Sequence, residues 1–386
     1  MTGPPQSGSW FRVDLAKPLR VARFRHGRLF VIAFIALACL FAASSLTFDA
    51  RSGASNGATS THRGNPYSVG SAILALKLTR MQMLNARVGV GVAPIVTLGG
   101  GLVRAYLVRT NDAGESWTVV GVFPKGFYPW TTAFATPQEG YVIDSGGALF
   151  TNNAGRTWAK VATSYSPLSI SIKADEVWIP VENYCPTTTA QNPCGTYLDS
   201  FKFGSLVPTS VTHVPSDQPQ FFQVAPTVGY AIGSDKFAGS VYFTSNAGTT
   251  WRDIKTPCEH QRISGGSVAS SSQLLVYCER GSPSNSDTAT IYKSHNGGTN
   301  WQKVADVQAQ GPDPVVGSSG QFLWEFSEDA TLFESSDGGR LWVDVPRVKY
   351  GTNDVIATYG AHEAWHVLTG RGIYRTLNGR TWKILK

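Results

Sequence analysis

Charged side chains are scarce in this chain: Asp, Glu, Lys and Arg together make up only 15% of its 386 residues. The formal net charge of +7 is also unevenly placed, because residues 1–28 carry six basic side chains (Arg12, Lys17, Arg20, Arg23, Arg25, Arg28) against one acid, Asp14. Beyond residue 28 no run of Lys and Arg forms the basic face that nucleic acid requires, so nucleic-acid binding is excluded as an expectation. Cysteines number five and none falls in a C-x-x-C spacing, which removes zinc ribbons and thioredoxin-type sites. No Gly-x-Ser-x-Gly elbow occurs, and Gly99-Gly100-Gly101 lacks the Lys-Ser/Thr of a phosphate loop, so it reads as a turn.

Long apolar runs are missing too, with one exception. Leu29 to Phe48 is a stretch of twenty residues without a charge. As a helix it would span roughly 30 Å, the hydrocarbon thickness of a bilayer. The basic flank before it predicts a cytoplasmic N-terminus and an exported remainder. Retention as a signal anchor is the expectation, since a 28-residue basic region is long for a secretory signal; cleavage at the small residues Ala42-Ala43-Ser44 would make the protein secreted. Cys39 lies in this segment with Ala36, not Leu, three positions earlier, which speaks against a lipoprotein signal. The remaining Cys185, Cys194, Cys258 and Cys278 form an even set suited to an oxidising compartment. Three pairings are possible, and the local pairs 185–194 and 258–278 are the most economical.

What the chain has in abundance is glycine, at 40 residues, and tryptophan, at 11. Both suit many short strands joined by tight turns. Residues 49–79 begin with a Ser-, Gly-, Thr- and Asn-rich spacer, and beyond them one octapeptide recurs. The copies are TNDAGESW (Thr110 to Trp117), TNNAGRTW (Thr151 to Trp158), TSNAGTTW (Thr244 to Trp251), SHNGGTNW (Ser294 to Trp301) and SSDGGRLW (Ser335 to Trp342). A shortened copy, TLNGRTW, runs from Thr376 to Trp382. Asp112, Asn153, Asn246, Asn296 and Asp337 can bond backbone amides two residues on. Gly114, Gly155, Gly248, Gly298 and Gly339 supply positive φ. Trp117, Trp158, Trp251, Trp301, Trp342 and Trp382 open the next strand and bury a large ring between sheets. Each residue has a structural task, and no catalytic role is assigned to them. The tryptophans step by 41, 93, 50, 41 and 40 residues, so one unit between Trp158 and Trp251 has lost its box. The period predicts an all-β, seven-bladed β-propeller over residues 80–386, preceded by an N-terminal transmembrane helix at 29–48 and a basic cytoplasmic tail at 1–28. Strands are expected at Thr131 to Ala135, Gly140 to Asp144, Ala148 to Thr151 and Trp158 to Val161. Closure is expected by packing of the first blade on the last, unless Tyr67 to Leu76 supplies an extra strand.

The octapeptide resembles the Asp-box, or BNR, repeat of sialidase-like propellers, and the chain is most similar to the photosystem II stability/assembly factor-like family. The resemblance covers residues 80–386 and is specific for fold, while Asp-boxes occur in sialidases, xyloglucan hydrolases, sorting receptors and assembly factors alike. It implies that the boxes lie between third and fourth strands on one rim, and that ligands bind on the opposite rim. There the candidates are Lys125, Phe127, Tyr128 and Trp130 between the first two blades, with Asp144 in the second. Glu182 and Tyr184 open the third-blade loop, and Asp235, Lys236, Glu279, Arg280 and Arg371 occupy equivalent places.

Two enzymatic readings compete with a binding role. His362-Glu363-Ala364-Trp365-His366 fits H-E-x-x-H, but it aligns with a strand, where four residues span about 13 Å and two imidazoles cannot share a metal. A sialidase signature is absent: Pro346-Arg347-Val348 is neither the expected R-I-P motif nor in its place. A glycoside hydrolase would instead need two facing carboxylates, for which Asp144, Asp235 and Glu279 are the candidates. The expected function is therefore a non-catalytic extracytoplasmic propeller that binds a protein or surface polymer, possessing no cofactor or metal, with assembly or stability of a membrane complex as the role the resemblance suggests. Glycoside hydrolysis is the alternative.

Overall fold

In a computed structural model of the chain, the described residues run from 69 to 385, except 74–77, 97–101, 185–193, 217–218, 236–237, 259–260, 281–287, 309–314, 317–322, 327–330, 339, 342, 350–354, 360–361 and 369–371. Glycine-punctuated runs of β-branched and aromatic residues fold into up-and-down antiparallel sheets. The first sheet contains Arg80–Met83, Gly89–Val96, Leu102–Thr110 and Trp117–Val122. The second contains Thr131–Phe134, Gly140–Asp144, Gly147–Thr151 and Ala159–Val161, within a residue of the sequence expectation at each end. Further sheets cover 166–213, 220–254, 262–308, 315–349 and 355–385. Innermost strands of successive sheets lie side by side, and Arg80–Met83 meets Val355–Tyr359 of the last sheet, which closes the β-propeller ring.

The expectation of a seven-bladed propeller is corrected: six blades, not seven, are built on the repeat, and the unit expected between Trp158 and Trp251 is not a further copy that has merely lost its box. The sheet over 166–213 is a different construction: its inner edge is two short pieces, Ser166–Pro167 and Ser171–Lys173, both paired with Glu176–Asn183. Its last turn, between Gly195–Lys202 and Ser210–His213, has no box. The physical reason is local: Gly204, with φ of 84°, bends the chain, and its amide bonds the Tyr141 hydroxyl of the preceding sheet at 2.8 Å. The helix expected at Leu29 to Phe48 lies outside the described residues, and among the described residues no helix is long and apolar enough to cross a membrane.

The box is a hydroxyl–carboxylate clasp. Thr110 donates its hydroxyl to Asp112 Oδ1 at 2.7 Å and accepts from the amide of Gly114 at 2.9 Å. Asp112 Oδ1 accepts from the Ser116 amide at 2.9 Å, four residues on rather than the two that sequence suggests. Asn153, Asn246 and Asn296 repeat this with Thr157, Thr250 and Asn300. Burial pushes the Asp112 carboxyl up, but hydrogen bonds from Ser116 and Thr110 outweigh it and leave the pKa below its ordinary value.

The core lies in the seams between sheets. Val90, Leu107 and Phe123 of the first sheet pack with Phe134 and Val142 of the second. Tyr141, Ile143 and Phe150 pack with Val177, Ile179 and Phe201; Trp178 and Leu198 pack with Ala231. At the closing seam Met81, Tyr106 and Trp117 join Trp365, Val367 and Ile373. Sandwiched strands are therefore buried on both faces, as Gly140–Asp144 is throughout. Box glycines sit in these seams. A Cβ on Gly155 would meet Leu107 of the preceding sheet at 3.0 Å, on Gly248 Leu198 at 2.5 Å, and on Gly298 Ile254 at 2.5 Å. Box tryptophans also bond backward: Trp158 Nε1 donates to Val122 O at 2.9 Å and Trp301 Nε1 to Lys255 O at 3.0 Å. The short strand Ala72–Ile73 pairs with Trp117–Val122 at the outer edge of the first sheet, so it does not bridge to the last one.

One seam carries a titrating group. Glu334 of the sixth sheet is buried, and burial raises its pKa from 4.5 to about 7, opposed by the Arg380 charge and the Trp382 indole of the seventh. A carboxyl raised in the folded state contributes stability that is complete below its unfolded pKa and lost as pH rises through its folded pKa. Solvent reaching exposed Arg380 screens the group, so the loss between about pH 5 and pH 8 is expected at about 1–2 kcal/mol. Urea midpoints should show Glu334→Gln abolishing this loss; equal pH dependence in both proteins would refute it.

Candidate functional site

The rim opposite the boxes collects the turns between second and third strands and the links between sheets. Between the first two sheets the link is pinned at both ends. Phe127 stacks on Phe123 with ring centroids 6.2 Å apart, the Tyr128 amide donates to Asp144 Oδ2 at 3.1 Å, and the Trp130 amide donates to Ile143 O at 3.0 Å. Asp144 Oδ1 accepts from the Gly146 amide at 2.7 Å, so each carboxyl oxygen holds a backbone amide. Burial raises the Asp144 pKa, against the pull of those amides. Lys125 stands exposed at the tip of this link.

Arg80, the first residue of the innermost strand of the first sheet, completes the cluster. Its Nε donates to Trp130 O and one terminal nitrogen donates to Thr79 O, both at 2.6 Å. Among the described residues no carboxylate pairs with it. Burial lowers its pKa, and the neighbouring Tyr128 opposes that shift. A guanidinium has five donors, and these bonds leave most of them unspent. The Trp130 indole nitrogen beside it is likewise buried without an acceptor among the described residues. The signal available in sequence was position: Arg80 opens an inner strand at the rim, and Arg262 opens another in the fifth sheet. Sequence reasoning used Arg80 only to mark where the propeller begins.

The other candidates are spread around the ring rather than gathered. Glu182 is buried in the third sheet beside Tyr184, whose pKa rises to about 12 through desolvation first and then the hydrogen bond and charge of Glu182. Glu279 stands opposite Arg262 in the register of the fifth sheet. Asp235 ends a strand of the fourth sheet opposite Ala238, and Arg280 ends one of the fifth opposite Thr288. Lys236, Arg371 and Cys185 lie outside the described residues, as do Gly339 and Trp342 of the sixth box. Cys258 and Cys278 form a disulfide with Cα atoms 5.1 Å apart, and Cys194 is also disulfide-bonded. His362-Glu363-Ala364-Trp365-His366 enters the strand Glu363–Leu368, with His362 exposed, His366 buried and Glu363 ion-paired to Arg375.

No family model and no curated protein matches the chain. Its fold is shared with solved propellers at low identity. YCF48 bound to D1 peptide matches at 15% identity over 78% of this chain and 94% of that one, with a TM-score of 0.52. Oligogalacturonate lyase in complex with manganese matches at 12% identity over 80% and 98%, with a TM-score of 0.56. The β-propeller domain of the trilobed protease from Pyrococcus furiosus matches at 11% identity over 80% and 95%, with a TM-score of 0.54.

Proposed function

We propose that this protein is a non-catalytic propeller of the Asp-box kind, held at the extracytoplasmic face of a membrane by Leu29 to Phe48. In this reading it binds a carboxylate-bearing polypeptide segment at the rim around Arg80. The observation that carries the reading is the partly buried Arg80 guanidinium, which has no carboxylate partner among the described residues. A charge taken out of water without a counter-ion is costly, and an incoming carboxylate restores the balance with charge-assisted hydrogen bonds. Tyr128 and Trp130 add an aromatic surface, and the Trp130 indole offers a further donor. The carboxylate of Asp144 holds the chain link in place, which favours a fixed binding seat over a mobile acid. YCF48 bound to D1 peptide supports a peptide as the ligand class, and by the same analogy a role in assembling or stabilising a membrane complex.

A fluorescein-labelled polyglutamate peptide serves as the probe, followed by anisotropy. Removing one partner of a desolvated charge pair costs at least about 2 kcal/mol, so Arg80→Gln should weaken binding about 30-fold or more. Arg156→Gln, on the boxed rim, should leave it unchanged. Equal affinity of Arg80→Gln and the parent protein would overturn the assignment. Binding of fluorescein-labelled polygalacturonate, but not of labelled polyglutamate, would point to an acidic polysaccharide instead.

A further inference from the structure

Buried polar side-chain atoms without a hydrogen-bond partner among the described residues gather in one seam of the ring. Between the third and fourth sheets they are Trp178 Nε1, Thr212 Oγ1, Ser216 Oγ, Ser240 Oγ and Trp251 Nε1. All five lie on one pair of facing surfaces. Trp178 packs with Ala231, and its ring meets Trp251 edge-on with centroids 6.5 Å apart. Thr212 pairs with Leu198 on the face of the third sheet that meets the Gly248 turn. Gly233, whose bare face looks at Ser216 Oγ, pairs in register with Ser240.

The cause is the box that the third sheet lacks. In the second and fifth sheets the box indole donates to a carbonyl at or just past the end of the preceding outer strand, Val122 O or Lys255 O. The outer strand before the fourth box is Ser210–His213, which no box tryptophan opens, and Trp251 Nε1 meets no carbonyl of it. Other bonds do cross this seam: Ser200 Oγ donates to Ala247 O at 3.1 Å and Gln223 Nε2 to Glu176 O at 3.5 Å. They leave the five atoms unmet.

A buried donor or hydroxyl that meets nothing loses the bonds water gave it, at a cost comparable with a lost hydrogen bond. Five such losses together approach the whole stability of a folded domain. An internal water removes the cost wherever it finds two or more partners. Two groupings meet that requirement. Toward the boxed rim, Thr212 Oγ1 lies 3.3 Å from the Cβ position of Gly248, and Trp251 Cζ2, on the nitrogen-bearing side of the indole, lies 3.4 Å from it. An indole donor and a hydroxyl acceptor are complementary ends for a bridging water. Toward the opposite rim, Ser216 Oγ lies 2.7 Å from the Cβ position of Gly233. Ser240 stands directly across from that glycine, about 5 Å away between Cβ positions, so two hydroxyls flank one residue without a side chain.

We propose that the seam between the third and fourth sheets binds internal water. In its boxed half the water is held by the Trp178 and Trp251 indoles and the Thr212 hydroxyl, and in the opposite half by Ser216 and Ser240. It takes the place of the indole-to-carbonyl bond that a box in the third sheet would bring.

The tryptophan indoles of the full chain are labelled with nitrogen-15 in detergent micelles, and their cross-relaxation with water is recorded. Trp178 and Trp251 should show transfer from long-lived water. Trp117 and Trp365, buried and bonded to Gly114 O and Ala113 O, should show none. Urea unfolding gives a second reading, because hydration reverses the sign of a substitution. In a dry seam Thr212→Val removes an unmet oxygen and would raise the folding constant about fivefold; in a hydrated seam it takes a partner from the water and should lower it about fivefold. Ser216→Ala and Ser240→Ala should each lower it about as much, and together no more than either alone, since they hold the same water. Absence of transfer at Trp178 and Trp251, stabilisation by Thr212→Val, or additive losses at the two serines would each overturn the proposal.

Discussion

Replacing Trp365 by alanine should lower the unfolding free energy by about 3–5 kcal/mol, the range for removing a large aromatic from a packed core. Trp365 is fully buried at the seam where the last sheet meets the first. Its indole nitrogen donates to Ala113 O in the first box at 2.9 Å, and the Arg375 guanidinium covers its ring at 5.2 Å. Among the described residues no strand is exchanged between the two sheets, so side-chain packing carries the closure. Trp365→Phe keeps most of the buried area and forfeits the hydrogen bond, and should cost about 1–3 kcal/mol because Ala113 O is left unpaired. Urea denaturation followed by far-UV circular dichroism measures both. A Trp365→Ala cost within about 0.5 kcal/mol of zero, the level of a surface substitution, would show that this seam does not hold the ring.

Gly121→Val should cost about 3 kcal/mol, and the cause is backbone, not side chain. A Cβ there would sit 2.5 Å from Ala154 O and 2.6 Å from the carbonyl of Gly155, atoms of the box of the next sheet. Flexible side chains can turn away; a clasped turn cannot, so the sheets must separate. A register irregularity between Leu107 and Val108 places Gly121 at this point of contact. Gly126 offers the comparison, because its φ is 82° but no atom lies within 4 Å of its Cβ position. Gly126→Ala should cost only about 1 kcal/mol, the price of a left-handed alanine. Similar losses for the two substitutions would mean that the close approach at Gly121 is not what matters.

These two sites show where legibility in sequence ended. The box itself was plain, because a hydroxyl, an Asp or Asn, a glycine and a tryptophan at fixed spacing define a turn from local chemistry. Its glycine was assigned a conformational role, and the φ of 93° at Gly114 agrees with that. The residue before it is left-handed as well: Ala113, Ala154 and Ala247 have φ of 62°, 59° and 56°. Nothing in an alanine announces that conformation. The seam role of Gly155 was also hidden, since the atoms it must avoid belong to Leu107, in another sheet. Loss of the box between Trp158 and Trp251 was visible, but what replaced it was not, because the Gly204 turn is held by Tyr141 from the sheet before. Arg80 escaped for the same reason. Its partner Trp130 lies 50 residues on, and of the residues opening other inner strands Arg262 shares its chemistry while Thr131 and Ser171 do not, so no repeating signal marks the position. Asp144 was legible as a polar rim residue, though only the link geometry turns it from a candidate acid into a chain clamp.

The central claim is that ligand engages the rim around Arg80 and not the boxed rim. A photoreactive benzoylphenylalanine placed at exposed Lys125, and in a second protein at exposed Arg156, tests it when the full chain is irradiated in intact cells. Position 125 should yield a discrete polypeptide adduct that disappears on adding Arg80→Gln, and position 156 should yield none of that size. The same adduct from position 156, or an adduct from position 125 that persists without the Arg80 guanidinium, would contradict the assignment.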